Sequence, residues 1–131
     1  MDDLAETLFA PAVAIVNMLA IRFVVRSYRS RRMARNPDGE PVVVLGAGLA
    51  GRRLVHNMLH DDQAQFTPVG LLDDDRSKRR LKIEGIRVMG TRNDLASVAE
   101  RLEAKHVAVA IPRATPELLR GIQEQAREAG L

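Results

Sequence analysis

With 131 residues, 46% hydrophobic and 28% charged, the chain is long enough for one ordinary domain plus an appendage, and too apolar to be disordered. It has no cysteine, which excludes disulfides and thiolate-bound zinc, and its 3% aromatic content leaves the core to aliphatic side chains. The net charge of +3 sits in residues 1–35, where six arginines face three acids; residues 36–131 balance, which argues against a nucleic-acid-binding domain with a basic patch on its folded elements.

Residues 8–25 read LFAPAVAIVNMLAIRFVV, an apolar run interrupted by Pro11, Asn17 and Arg22. As a helix it spans about 27 Å, close to the ~30 Å hydrocarbon core of a bilayer. Its Leu, Ile, Phe and Val residues favour insertion by about 3–6 kcal/mol. Arg22 opposes by up to ~3 kcal/mol at mid-bilayer, but lies close enough to the end to snorkel. The preceding flank is acidic and the following one (RSYRSRR, residues 26–32) is basic, with Tyr28 placed for an interface. The positive-inside rule then puts the following domain in the cytoplasm. A secretory signal is excluded, because the basic cluster follows the apolar run. The alternative is a helix lying on a membrane or docked on protein. The expected plan is a membrane-associated helix over residues 1–35, a Pro- and Gly-containing linker over 36–41, and a nucleotide-binding domain over 42–131.

Residues 42–45 (VVVL) form an unbroken aliphatic run, as in a central parallel strand buried on both faces. A glycine loop follows, then a helix to about His60 with Gly51, Leu54, Val55, Met58 and Leu59 on one face. Residues 66–72 (FTPVGLL) predict a second strand ending in three aspartates, and residues 83–89 a weaker third strand around Ile86 and Val88. Thr91 or Asn93 caps the next helix, whose apolar stripe is Leu95, Val98 and Leu102. Residues 107–111 (VAVAI) predict a fourth buried strand. Thr115, Pro116 and Glu117 start a last helix, with Leu118, Leu119, Ile122 and Ala126 facing inward and Gly130 ending it. The order β-α-β-β-α-β-α, with crossover helices, predicts a Rossmann-type α/β fold with parallel sheet order 3-2-1-4. The sequence stops where a fifth strand would begin, so the chain is expected to be a piece of a longer protein.

Gly46, Ala47, Gly48, Leu49, Ala50 and Gly51 spell G-x-G-x-x-G between a buried strand and an amphipathic helix, the context that gives this motif meaning. Gly46 allows the tight turn, Gly48 lets backbone approach a pyrophosphate, and Gly51 lets helix and strand pack closely. Free N–H groups at the helix start then face the phosphates. Asp73, at the end of the second strand, is placed to accept from a ribose hydroxyl and to repel a 2′-phosphate, which favours NAD over NADP. Asp74 beside it is a secondary candidate; the bland alternative for Asp74 and Asp75 is a solvated turn. Arg76, Lys78, Arg79 and Arg80 weaken the selectivity, since one of them can reach a 2′-phosphate. Ala110, Ile111 and Pro112 end the fourth strand beside the same crevice and can pack on adenosine. Arg52 and Arg53, in the first helical turn, either neutralise a phosphate or are solvated.

His56 and His60 have the i, i+4 spacing of a metal pair, but no third ligand is evident near them in sequence, so no metal site is expected. His106 begins a strand. No nucleophile constellation is present, and the one tyrosine lies in the basic arm, so no catalytic residue is expected.

The strings VVVLGAGLAGRRL, FTPVGLLDDD, KIEGIRVMGTRNDL and HVAVAIPRATPELL, in that order, resemble the N-terminal CoA-binding-like Rossmann domain of bacterial membrane polysaccharide biosynthesis proteins of the nucleoside-diphosphate-sugar 4,6-dehydratase/epimerase type. The resemblance covers about residues 8–131, and Gly46, Gly48, Gly51 and Asp73 match its nucleotide-binding positions. It implies an NAD- or nucleotide-sugar-binding domain on the cytoplasmic side of the inner membrane, held there through residues 8–25. A catalytic domain is implied downstream, and homo-oligomerisation is open. The alternatives are the N-terminal domain of a polyprenyl-phosphate sugar-1-phosphate transferase and a nucleotide-sensing module of a transporter or channel.

Overall fold

The computed structural model describes residues 2–33 and 38–131. They form two units, Met1–Arg32 and Met33–Leu131. Asn36 and Pro37 of the expected linker lie outside the described residues, as do Arg35 and the side chains of Tyr28 and of the arginines at 26, 29, 31 and 32.

The first unit is one helix, α1 (Asp2–Met33), which runs through Pro11. Its segment Asp3–Val25 has 23 residues and a mean hydropathy of 2.1, long and apolar enough to cross a membrane, and none of that window is buried. Ile15, Val16, Met18 and Leu19 are all exposed. Together with Ile21 and Val24, which are also exposed, they surround the helix axis at about 100° per residue, so the apolar surface is not a single stripe.

The second unit is a twisted α/β layer structure. Its elements are β1 (Glu40–Leu45), α2 (Leu49–His60), β2 (Phe66–Leu72), β3 (Lys82–Ile83), β4 (Ile86–Gly90), α3 (Leu95–Leu102), β5 (His106–Val109) and α4 (Pro116–Glu128). The sheet order is β3-β4-β2-β1-β5, and the four strands β4, β2, β1 and β5 are parallel. The expected 3-2-1-4 order is therefore present. The β1–β2 register shifts at Val42/Val43, where Pro68 lacks an N–H to donate and Val69 becomes an extra residue.

Side chains of β1 alternate between two cores. Val43 and Leu45 pack with Leu72, Leu95, Val98 and Ile122 under α3 and α4. Val44 packs with Val55, Leu71, Ile83, Ile86 and Val88 on the α2 side. This two-sided burial is why residues 42–45 are all aliphatic.

Several expectations are corrected. β1 begins at Glu40, two residues earlier than the apolar run. The weak third strand is a hairpin, β3 antiparallel to β4, because Glu84 and Gly85 both take positive φ (50° and 88°) and turn the chain back. The link from β2 to β4 contains a 3-10 turn (Arg76–Lys78) and β3, with no α-helix, as the β-α-β-β order expects. The fourth strand is shorter than expected and half-buried, with Val109 exposed, because it is an edge strand paired with β1. Leu119 is 40% exposed rather than inward-facing, one position past the buried stripe of Ile122 and Ala126.

Helix starts follow their caps. Thr91 and Asp94 form a capping box around the 3-10 turn Arg92–Asp94 that leads into α3. At α4, Thr115 Oγ1 accepts from the Leu118 amide at 3.2 Å, with proline next. A Thr115→Ala substitution is expected to cost about 1 kcal/mol. Chemical denaturation followed by circular dichroism measures it, and an unchanged midpoint would show that the cap is irrelevant.

Candidate functional site

Four parallel strands end at one rim, where loop amides extend the ladders. Gly46 donates to the Leu72 carbonyl at 2.8 Å, Ala110 to Leu45 at 2.8 Å, and Asp73 to Gly90 at 3.0 Å. Above this rim the chain turns from β1 into α2.

The three motif glycines are there for different reasons. Gly46 has φ 105°, and a Cβ on it would meet the Ala110 carbonyl oxygen at 2.6 Å. A Cβ on Gly51 would lie 1.9 Å from the Gly46 carbonyl oxygen. Both positions are glycine because the protein itself fills the space. Gly48 differs: its φ of −81° and ψ of −161° suit any residue, and a Cβ there would meet nothing but Lys78 Nζ, at 3.8 Å. Gly48 is the N-cap of α2 and has no side chain to satisfy the first-turn amides. No acid occupies that first turn either. The helix start therefore presents unsatisfied N–H groups and a positive dipole end to open space, which suits a phosphate.

The aspartates after β2 organise this rim. Asp73 accepts from the Ala47 amide through Oδ2 and from the Asp75 amide through Oδ1, both at 2.8 Å. Asp74 accepts from the Arg92 amide at 2.9 Å, tying β2 to the start of the second 3-10 turn. Asp75 accepts from the Ser77 amide and hydroxyl at 3.0 and 2.7 Å, capping the first. The Ser77 hydrogen bonds hold the Asp75 carboxyl below the usual carboxylate range. Asp74 and Asp75 are exposed in a solvated turn, and each carboxylate also accepts from a loop amide there.

Of the four cations that follow, one turns to the loop. The capped 3-10 turn brings Lys78 Nζ within 3.6 Å of Asp73 Oδ2, over Gly48. Arg76, Arg79 and Arg80 are exposed, as are Arg52 and Arg53. Arg92, on the same rim, has a buried Nε without a hydrogen-bond partner among the described residues. Sequence spacing did not distinguish Lys78 from its neighbours and gave no sign of Arg92.

Of the other expected site residues, Ala47 is buried under the loop, Ala50 is half-buried and Leu49 is 67% exposed at the helix start. Ala110 packs beneath Gly46, Ile111 joins the α3–α4 core, and Pro112 is exposed.

A second cluster lies at the far end of α2. His56 Nδ1 is 2.5 Å from Glu84 Oε1, and His60 Nε2 is 3.0 Å from Oε2. The His56 hydrogen bond, with a smaller contribution from His60 and against partial desolvation, holds the Glu84 carboxyl below its ordinary range. The third group that the sequence did not reveal is thus supplied by the β3–β4 turn. His106 begins β5 as expected, hydrogen-bonds Glu40 across the sheet start, and stacks edge-on against Phe66 at 5.1 Å.

A parallel sheet of order 3-2-1-4 with a glycine turn at the first strand–helix junction defines a Rossmann-type domain. The chain belongs to the CoA-binding domain family, whose profile matches residues 7–130. It is similar to the probable polysaccharide biosynthesis protein EpsC of Bacillus subtilis, with 26% identity over 84% of this chain and 18% of the relative. It is likewise similar to the capsular polysaccharide biosynthesis protein CapD of Staphylococcus aureus, with 28% identity over 79% of this chain and 17% of that one. The chain thus spans less than a fifth of the length of these relatives. Among solved structures, UDP-D-quinovosamine 4-dehydrogenase from Vibrio fischeri superposes with a TM-score of 0.61 at 28% identity, covering 71% of this chain and 74% of that one.

Proposed function

We propose that residues 42–131 are the NAD-binding domain of a membrane-bound polysaccharide biosynthesis protein of the nucleoside-diphosphate-sugar dehydratase or epimerase type. The space above Gly48 supports this most directly: glycine there is demanded neither by backbone torsion nor by neighbouring atoms. A pyrophosphate lying on the α2 amides, with Lys78 alongside, gives that glycine a reason. The relatives supply the setting, since both are polysaccharide biosynthesis proteins.

In this reading Asp73 has two tasks. Its two backbone hydrogen bonds leave lone pairs on a carboxylate with about four acceptor sites, enough to take a ribose hydroxyl as well. Its charge disfavours a 2′-phosphate, so NAD is preferred to NADP. Ala110 and Pro112 flank the adenosine side. The segment Asp3–Val25 spans the inner membrane, as its all-round apolar surface suits, and the basic flank keeps the domain cytoplasmic. Catalysis belongs to a downstream domain to which this one is attached.

The test is calorimetric titration of the whole chain, in detergent, with NAD⁺, NADH, NADP⁺ and a UDP-sugar. NAD⁺ or NADH should saturate at one per chain, with NADP⁺ weaker. Lys78→Met should weaken NAD binding about tenfold, the equivalent of ~1.4 kcal/mol for one charge-assisted contact. A folded chain that binds none of the four ligands sinks the reading. Binding of the UDP-sugar alone moves the site to a nucleotide-sugar.

A further inference from the structure

We propose that His56, His60 and Glu84 form a binding site for a divalent transition-metal ion, with zinc the best-matched candidate. The two histidines lie one turn apart at the end of α2, and Glu84 comes from the β3–β4 turn, 24 residues beyond His60. One donor atom from each residue falls in a group whose members are all within 4.8 Å of one another. An ion with bonds of about 2.0–2.2 Å needs its ligand atoms about 3–4 Å apart, so small rotations of exposed side chains suffice.

Four features favour a cation here. Two imidazoles and one carboxylate are a borderline donor set, suited to zinc, nickel or copper rather than to magnesium or calcium. His60 is the last residue of α2, and a helix C-terminus carries partial negative charge. Glu84 stands at the first position of the two-residue β3–β4 turn, whose geometry takes φ 50° there, and its two carboxylate oxygens each meet one of the imidazoles. The histidine rings are 57% and 41% exposed, which leaves the fourth position of a tetrahedral ion to water.

The bound ion ties the hairpin to α2. It lies at the opposite end of that helix from the glycine loop, about 16 Å away at 1.5 Å per residue, and is independent of the nucleotide. In its absence the same residues make the His–Glu hydrogen bonds seen here.

The experiment uses the whole chain in detergent, without a histidine tag and stripped of metal by a chelator. Zinc is titrated in competition with a chromophoric chelator, and thermal unfolding is followed at increasing zinc. One ion per chain and a midpoint that rises with zinc concentration are expected. Glu84→Gln and His60→Ala should each weaken binding more than about 100-fold, beyond the 10–100-fold typical of an outer-sphere partner. His106→Ala, at the other histidine–glutamate pair, should leave affinity unchanged. Where His60→Ala does not fold, His56→Ala reads the same loss. A folded chain that takes up no zinc, or a Glu84→Gln variant that binds as tightly as the parent, overturns the site.

Discussion

Gly51→Ala is expected to lower folding stability by about 3 kcal/mol, the upper part of the range for forcing atoms into a filled space. Glycine inside a helix normally costs about 0.5–1 kcal/mol relative to alanine, so propensity alone predicts a gain. The clash decides the sign. The added Cβ would stand 1.9 Å from the Gly46 carbonyl oxygen, which belongs to backbone and not to the tip of a flexible side chain. That backbone is pinned, since the Gly46 amide donates to Leu72 and the adjoining Ala47 amide to Asp73. Gly121→Ala is the matched control, because a Cβ there meets nothing within 4 Å on α4. It should gain up to about 1 kcal/mol. Urea denaturation of both variants measures the contrast, and a Gly51→Ala midpoint at or above the parent's would show that α2 does not need this close approach.

Gly48→Val should do the reverse, keeping the fold and abolishing nucleotide binding. Its torsions are open to valine, and replacing a glycine N-cap costs at most about 1 kcal/mol. The isopropyl group would occupy the space over the α2 amides, so NAD affinity should fall at least about 100-fold, or ~2.7 kcal/mol. Calorimetry and denaturation on one preparation separate the outcomes. Loss of stability together with binding would make Gly48 another structural glycine. Unchanged binding would move the phosphates elsewhere. Asp73→Ala is a poorer probe, since it also removes the acceptor of the Ala47 amide and loosens the loop.

Local chemistry was legible in the sequence. The valine run, the glycine loop and the Thr115–Pro116 start each depend on neighbours within a few residues, and each is present in the structure. The order of the parallel strands followed from handedness rules applied to those elements. Contacts across long separations were not legible. Nothing near Asp73 announces that its oxygen meets the Ala47 amide 26 residues back, or near Asp74 that it reaches Arg92. Lys78 stood among three arginines of the same charge, and the tight turn that singles it out depends on Asp75 as its cap. Glu84 was hidden for the same reason: its hairpin had read as one strand, in which no side chain turns back towards α2.

The two ends of the sheet differ in what they offer. β3 is a two-residue stub, too short to template another chain. β5 shows four residues of strand, with no proline, and pairs on one side with β1 among the described residues. Edge-to-edge growth of this domain is therefore one-directional. A strand contributed by another domain or a second copy would cover Val109 and arrive beside Ala110, whose carbonyl lies against the turn at Gly46. If the crevice holds a nucleotide as proposed, such a neighbour would stand beside it, and the state of assembly would be linked to its occupancy.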